Sequence, residues 1–273
     1  MSIRGCIQIL KDVTLGQFFP GTSIIHKLDP RTKLVGVVVF IVALFQAAGW
    51  WSFLAVTLIT VSFMLLSKIG PKRVFSGLKP MIFIIIFTAV LNLFYTDGTP
   101  IRENWPITYE GIAKAIQMVL RIILLISGTF LLTYTTSPIA ITDGLEMLLS
   151  PLKKIRFPVH EMTIMMSMAL RFIPTLIEET DKIMSAQRAR GADFETGGLI
   201  KRAKALLPIL VPLFVSAFRR ADELATAMES RCYHGGEGRT RMKQLKFSGR
   251  DYAAFVLLAL ILAGMITMRK LGL

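Results

Sequence analysis

Uncharged apolar segments recur along the chain in separate blocks. Four of them contain no Asp, Glu, Lys or Arg, at residues 34–48, 51–67, 81–95 and 252–268. A membrane-spanning helix needs about 17–25 mostly apolar residues, because each residue advances about 1.5 Å through roughly 30 Å of hydrocarbon. With a longer apolar segment at 112–136, these blocks predict an all-α integral membrane protein with about five transmembrane helices.

Residues 137–250 have a different pattern, in which apolar positions alternate with charged ones. Ile164, Met168, Phe172 and Leu176 recur at helical spacing, which indicates amphipathic helices rather than spans. The segment also holds more than half of the chain's 32 Lys and Arg residues. The predicted domains are therefore a four-span membrane domain over 1–136, an amphipathic-helix domain over 137–250 and a C-terminal transmembrane helix over 251–273.

Basic residues between the spans predict the orientation of the chain. The stretch between the second and third spans has no acid and four basic residues, Lys68, Lys72, Arg73 and Lys79. Such a loop is typical of the cytoplasmic side. The N-terminus and the amphipathic domain are then cytoplasmic, residues 97–110 form an outside loop, and the C-terminus lies outside. Only Arg269 and Lys270 oppose this assignment.

The amphipathic domain contains a short internal sequence repeat. The stretch from Asp181 to Arg190 matches the stretch from Asp222 to Arg231 at an offset of 41 residues. Each arginine ends a predicted helix between two small residues, in the tripeptides Ala189-Arg190-Gly191 and Ser230-Arg231-Cys232.

Two arginines in such a setting suit recognition by another protein. An arginine offers five donors in a rigid fork that matches a carboxylate, and small neighbours allow a partner to approach the backbone. Two equivalent ends suit two equivalent sockets on a dimeric partner. A cation near a helix C-terminus is also favourable without any partner, so simple helix capping is the alternative.

The remaining chemistry is sparse. The chain has a formal charge of +14, but acids stand among the basic residues of the amphipathic domain, which is untypical of nucleic-acid binding. No Walker A, His-Glu-x-x-His or Gly-x-Ser-x-Gly motif occurs, so we expect no catalytic residue, metal or cofactor on this chain.

Cys6 and Cys232 suggest no disulfide framework. Arg121, deep in the fourth span, favours pairing with another helix over anion transport.

Four methionines cluster on one stretch ahead of the first arginine: Met162, Met165, Met166 and Met168. Methionine is flexible and polarizable, so it suits surfaces that accept different partners. A methionine stripe that is simply core is the alternative.

At these residues the chain resembles the transmembrane T component of energy-coupling factor (ECF) transporters, the EcfT family. The resemblance covers nearly the whole chain. It rests on Leu28-Asp29-Pro30-Arg31-Thr32-Lys33-Leu34 before the first span, Arg171-Phe172-Ile173-Pro174, and the two arginine tripeptides. The second tripeptide departs from the family's Ala-Arg-Gly pattern at Ser230 and Cys232.

The resemblance implies a non-catalytic coupling subunit in the plasma membrane of a prokaryote. Two ABC-type ATPase subunits, which bind ATP and Mg, would receive Arg190 and Arg231. A small membrane-embedded S component, which captures a vitamin or metal ion, would face the four methionines. A conventional ABC permease that lines its own pathway is the alternative function, although it would dock through one short coupling helix.

Overall fold

The computed structural model describes residues 18–99, 108–155, 157–194, 198–235 and 245–271. These residues form helices and no strand, which confirms the all-α prediction. The α-helices are α1 Pro30–Gln46, α2 Trp50–Ser67, α3 Pro71–Leu78, α4 Ile82–Tyr95, α5 Tyr109–Thr135, α6 Pro138–Leu149, α7 Val159–Ala189, α8 Leu199–Glu229 and α9 Gly249–Lys270. Two 3-10 turns, Lys79–Met81 and Ser150–Ile155, lie between them.

The chain forms two compact units. One, here called the membrane unit, comprises Phe18–Leu145 and Leu245–Leu273, and the other, the hairpin unit, contains Glu146–Gln244. The C-terminal helix thus belongs to the same unit as the first four spans. The domain boundaries predicted at 136 and 250 remain predictions.

Four helices in the described residues are long and apolar enough to cross a membrane: Trp50–Ser67, Lys72–Tyr95, Tyr109–Thr135 and Gly249–Lys270. All four belong to the membrane unit. The first predicted span corresponds to α1, whose 17 residues stand at the short limit for crossing the hydrocarbon. The membrane unit therefore has the helices that its apolar blocks predict.

The basic stretch between the second and third spans is a helix, so its prediction as a loop is wrong. Proline fits the first position of a helix, and Pro71 begins α3 after Gly70. Val74 and Leu78 recur at helical spacing and are buried. The sequence prediction gave a loop because the many charged residues of this stretch outweighed its short apolar face. A 3-10 turn then continues α3 into α4.

Helices α1 and α9 pack side by side and run parallel. At their first residues, Asp251 Oδ1 accepts hydrogen bonds from the Asp29 backbone N–H at 2.9 Å and the Thr32 hydroxyl at 3.1 Å. At their last residues, Arg269 donates to the side-chain oxygen of Gln46. Parallel helices begin on the same side of a membrane, which agrees with an even number of crossings before α9.

The Asp-Pro-Arg-Thr-Lys sequence fastens the beginning of α1. Asp29 caps the helix by accepting from the Arg31 backbone N–H at 2.9 Å, and it pairs with the Arg31 guanidinium at 3.0 Å. Arg31 also stacks 3.9 Å above the Phe247 ring. Lys33, nearly buried, donates to the Thr135 carbonyl at the end of α5 at 2.9 Å. The motif thus joins the ends of three helices.

Arg121 has a structural partner in the membrane unit. It donates a 2.8 Å hydrogen bond to the carbonyl of Ala47, the residue that caps the end of α1. The last carbonyls of a helix lack partners within that helix, and no water is available in hydrocarbon to satisfy them. The intramembrane arginine therefore supplies a donor to the short first span, as expected from pairing with another helix.

Replacing Asp251 with Asn tests how strongly this carboxylate holds the membrane unit together. Its second oxygen accepts from the Ser248 backbone N–H at 2.8 Å, so both oxygens face donors. An amide must turn its NH₂ group toward one of them, and an unsatisfied buried donor costs about 1–3 kcal/mol. We expect a lower thermal unfolding midpoint for Asp251→Asn in detergent. The exposed control Asp222→Asn should match the wild type, and equal midpoints for both variants would contradict this role.

Candidate docking ends of the hairpin helices

Helices α7 and α8 form an antiparallel hairpin. Near the connection, Met184 of α7 packs with Ile209 of α8. Further along, Glu179 pairs with Arg220 at 3.0 Å. Each helix has 31 residues, and both continue through internal prolines, at Pro174 in α7 and at Pro208 and Pro212 in α8. The prolines therefore do not end the helices, and the hairpin presents two long rods.

The Glu179–Arg220 pair is polar and partly solvated. A side-chain hydrogen bond from Ser216 and the neighbouring Arg220 hold the pKa of Glu179 below its ordinary value. The carboxylate therefore stays ionised through the physiological range. Because both side chains are partly exposed, this contact aligns the helices more than it stabilises them.

The first predicted docking tripeptide forms a Schellman turn at the end of α7. Gly191 takes the left-handed backbone conformation with φ 88°. Its N–H donates to the Arg188 carbonyl at 2.9 Å, and the Ala192 N–H donates to the Gln187 carbonyl at 3.0 Å. These two bonds satisfy carbonyls that a helix end otherwise leaves without partners. Arg190 lies at the last position before the chain turns.

The second tripeptide repeats this turn at the end of α8. The Cys232 N–H donates to the backbone carbonyl of Glu229 at 2.8 Å, and the Tyr233 N–H donates to the backbone carbonyl of Met228 at 3.0 Å. Each bond has its counterpart 41 residues earlier. Cys232 replaces glycine at the left-handed position with φ 55°, a conformation that costs a non-glycine residue roughly 1–2 kcal/mol. The departure from Ala-Arg-Gly thus changes the residue and keeps the turn.

The two arginine ends are exposed and far apart. All six residues of the tripeptides, Ala189, Arg190, Gly191, Ser230, Arg231 and Cys232, are exposed. Arg231 lines a cleft with Arg171 of α7. Because Arg171 stands about 28 Å along α7 from Arg190, the two docking ends are widely separated along the hairpin.

Three of the four predicted methionines are exposed on α7, and the fourth is partly buried. Met162, Met165 and Met166 are 41%, 60% and 44% exposed and share one face of α7. Met168 is half-buried and lines the cleft beside Arg171.

A second apolar surface was missed by the sequence predictions. Leu207, Val211, Phe214 and Phe218 are 54–68% exposed along one face of α8. The sequence carries the signal, since these residues recur every three or four positions. Their exposure, rather than burial in a core, emerges only from the structure. Contiguous apolar surface of this kind marks interaction with a protein or a membrane.

Exchanging the left-handed residues tests the equivalence of the two turns. Cys232→Gly should raise the thermal unfolding midpoint, because glycine adopts φ 55° without a steric penalty. Gly191→Val should lower it, because a β-branched residue is strongly disfavoured at φ 88°. Gly198→Val, at a glycine with negative φ, serves as the control. If Cys232→Gly lowers the midpoint, the thiol stabilises the turn in another way.

Comparison with known proteins agrees with the resemblance. A family model described as cobalt transport protein, CbiQ, matches residues 21–242. The energy-coupling factor transporter transmembrane protein EcfT of Thermosediminibacter oceani is 54% identical over 264 residues, covering 95% of this chain and 99% of that protein. The EcfT protein of Bacillus subtilis is 47% identical over 264 residues, covering 96% of this chain and its own full length.

The EcfT protein of Ruminiclostridium cellulolyticum is 54% identical over 246 residues, covering 89% of this chain and 92% of that protein. The identity extends over most of the length of each protein, and the family model spans both arginine ends. The chain belongs to the EcfT family, the transmembrane components of energy-coupling factor transporters, which have a non-catalytic role.

Proposed function

We propose that this chain couples two ABC-type ATPase subunits to a small membrane-embedded S component that captures a vitamin or metal ion. The observation that carries the proposal is the pair of matching Schellman turns, each of which exposes an arginine between small residues. Two copies of one local structure suit two copies of one socket. Each ATPase subunit binds ATP and Mg, and this chain binds neither.

The geometry of the arginine ends supports attachment to two separate subunits. Arg231 shares a cleft with Arg171, which stands about 28 Å along α7 from Arg190, so the two arginine ends are too widely separated for one compact socket. Neither Arg190 nor Arg231 has a hydrogen bond or ion pair from its side chain within the described residues. Both forks are therefore free to pair with carboxylates on the ATPases.

The apolar face of α8 supports contact with the S component. Leu207, Val211, Phe214 and Phe218 form a continuous exposed stripe on the rod that joins the docking ends. Movement of the ATPases would reach this stripe along α8, which carries the stripe and leads to the second docking end. Met162, Met165 and Met166 offer a second exposed surface that adapts to different partners. The hairpin and the N-terminus lie on the cytoplasmic side of a prokaryotic plasma membrane.

Reversing the charge of both arginines tests docking. Arg190→Glu combined with Arg231→Glu should abolish co-purification of the ATPases, because like charges would face each socket. Insertion into the membrane should be unchanged, since both residues are exposed in the hairpin unit. The exposed pair Lys182→Glu and Lys201→Glu provides a matched control. Retention of the ATPases by the arginine double variant would mean that these residues do not dock the ATPases.

Polar substitution of the α8 stripe tests contact with the S component. Phe214→Ser with Phe218→Ser should lower co-purification of the small membrane protein, because each exposed aromatic ring contributes a large apolar contact area. The ATPases should remain bound. Ile200→Ser, which changes an exposed apolar residue near the start of α8, is the control. Loss of the ATPases together with the small protein would indicate a general defect of the hairpin.

A further inference from the structure

A cleft separates α7 from the end of α8 within the hairpin unit. It has a volume of about 690 Å³ and is lined by Ser167, Met168 and Arg171 on one side and by Met228, Arg231 and His234 on the other. The cleft is open at the surface, and both arginines are exposed. The second docking end is therefore one wall of a cleft, and the opposite wall carries another arginine.

The described residues that line the cleft include the two arginines and no acidic residue. Within the described residues, the side chains of Arg171 and Arg231 have no hydrogen-bond or ion-pair partner. Two like charges that share one cleft repel each other, and each guanidinium brings five donors that need acceptors. A carboxylate between them would remove the repulsion and accept from both forks.

We propose that this cleft receives a carboxylate-bearing segment of the ATPase that docks at Arg231, with Arg171 as a second docking residue. This inference rests on the proposed function. The apolar walls favour a protein segment over a free phosphate, because Met168 and Met228 can pack against the side chains that flank an acidic residue. The cleft is also continuous with the Arg231 end, so an occupant of one contacts the other.

A two-arginine cleft makes the docking ends chemically unequal despite their matching backbones. Attachment at the Arg231 end uses two guanidinium groups on two helices, so it also depends on the spacing of α7 and α8. Binding there should weaken with added salt more steeply than binding at the Arg190 end, because more charge pairs are involved.

Neutralising Arg171 in the assembled transporter complex tests the inference. Arg171→Gln should weaken ATPase binding by at least about tenfold in a detergent titration, the usual loss for a hydrogen-bonded charge pair. Arg171→Lys should recover only part of this loss, because it keeps the charge and removes the fork. Arg219→Gln, at an exposed arginine of α8 outside the cleft, should bind like the wild type. Wild-type affinity for Arg171→Gln would overturn the inference.

The double variant Arg190→Glu with Arg231→Glu separates the two ways to fail. If it loses the ATPases while Arg171→Gln keeps them, the proposed function stands and the cleft is not a docking site. If the double variant also keeps the ATPases, the proposed function is wrong, and the inference that rests on it is wrong too.

A photo-crosslinking residue in place of Ser167 identifies the occupant directly, because Ser167 lines the cleft. In the complete complex we expect a covalent product with an ATPase chain. A product with lipid or with the small membrane protein would overturn the proposal, even if Arg171→Gln weakens binding.

Discussion

Backbone N–H and C=O groups at helix ends have no partner within their own helix, and the need to satisfy them shapes both units of this chain. In hydrocarbon such groups cannot turn to water, so the protein must supply partners. Asp251 accepts the N–H groups that begin α1 and α9, while Arg121 and Lys33 donate to carbonyls that follow α1 and end α5. These three charged side chains thus hold helix ends of the membrane unit in place.

In the hairpin unit, the carbonyls at the helix ends are satisfied without using the arginine side chains. Its two Schellman turns satisfy the last carbonyls with backbone N–H groups, so Arg190 and Arg231 are not needed as caps. Their side chains can then act on a partner. Long helices carry these ends, and the same rods present the apolar stripe.

Much of this organisation follows from the sequence, because uncharged blocks and an offset of 41 residues are local patterns. The left-handed conformation of Cys232 could not be predicted, since the residue itself disfavours it and the helix end imposes it. The Asp251 contact with Asp29 spans 222 residues, and the cleft between Arg171 and Arg231 depends on helix register. Such long-range pairings have no signal in the spacing of a single sequence. Burial of Val74 likewise outweighed the charges that suggested a loop.

The most direct test of the central claim is the covalent product formed when photo-crosslinking residues replace Ala189 and Ser230 together. Each position flanks one docking arginine without removing it. The account predicts a three-chain product, one copy of this chain joined to two ATPase subunits, and a two-chain product when either position is used alone. A two-chain product from the doubly labelled protein at full crosslinking would show that both ends contact one subunit, which would contradict the account.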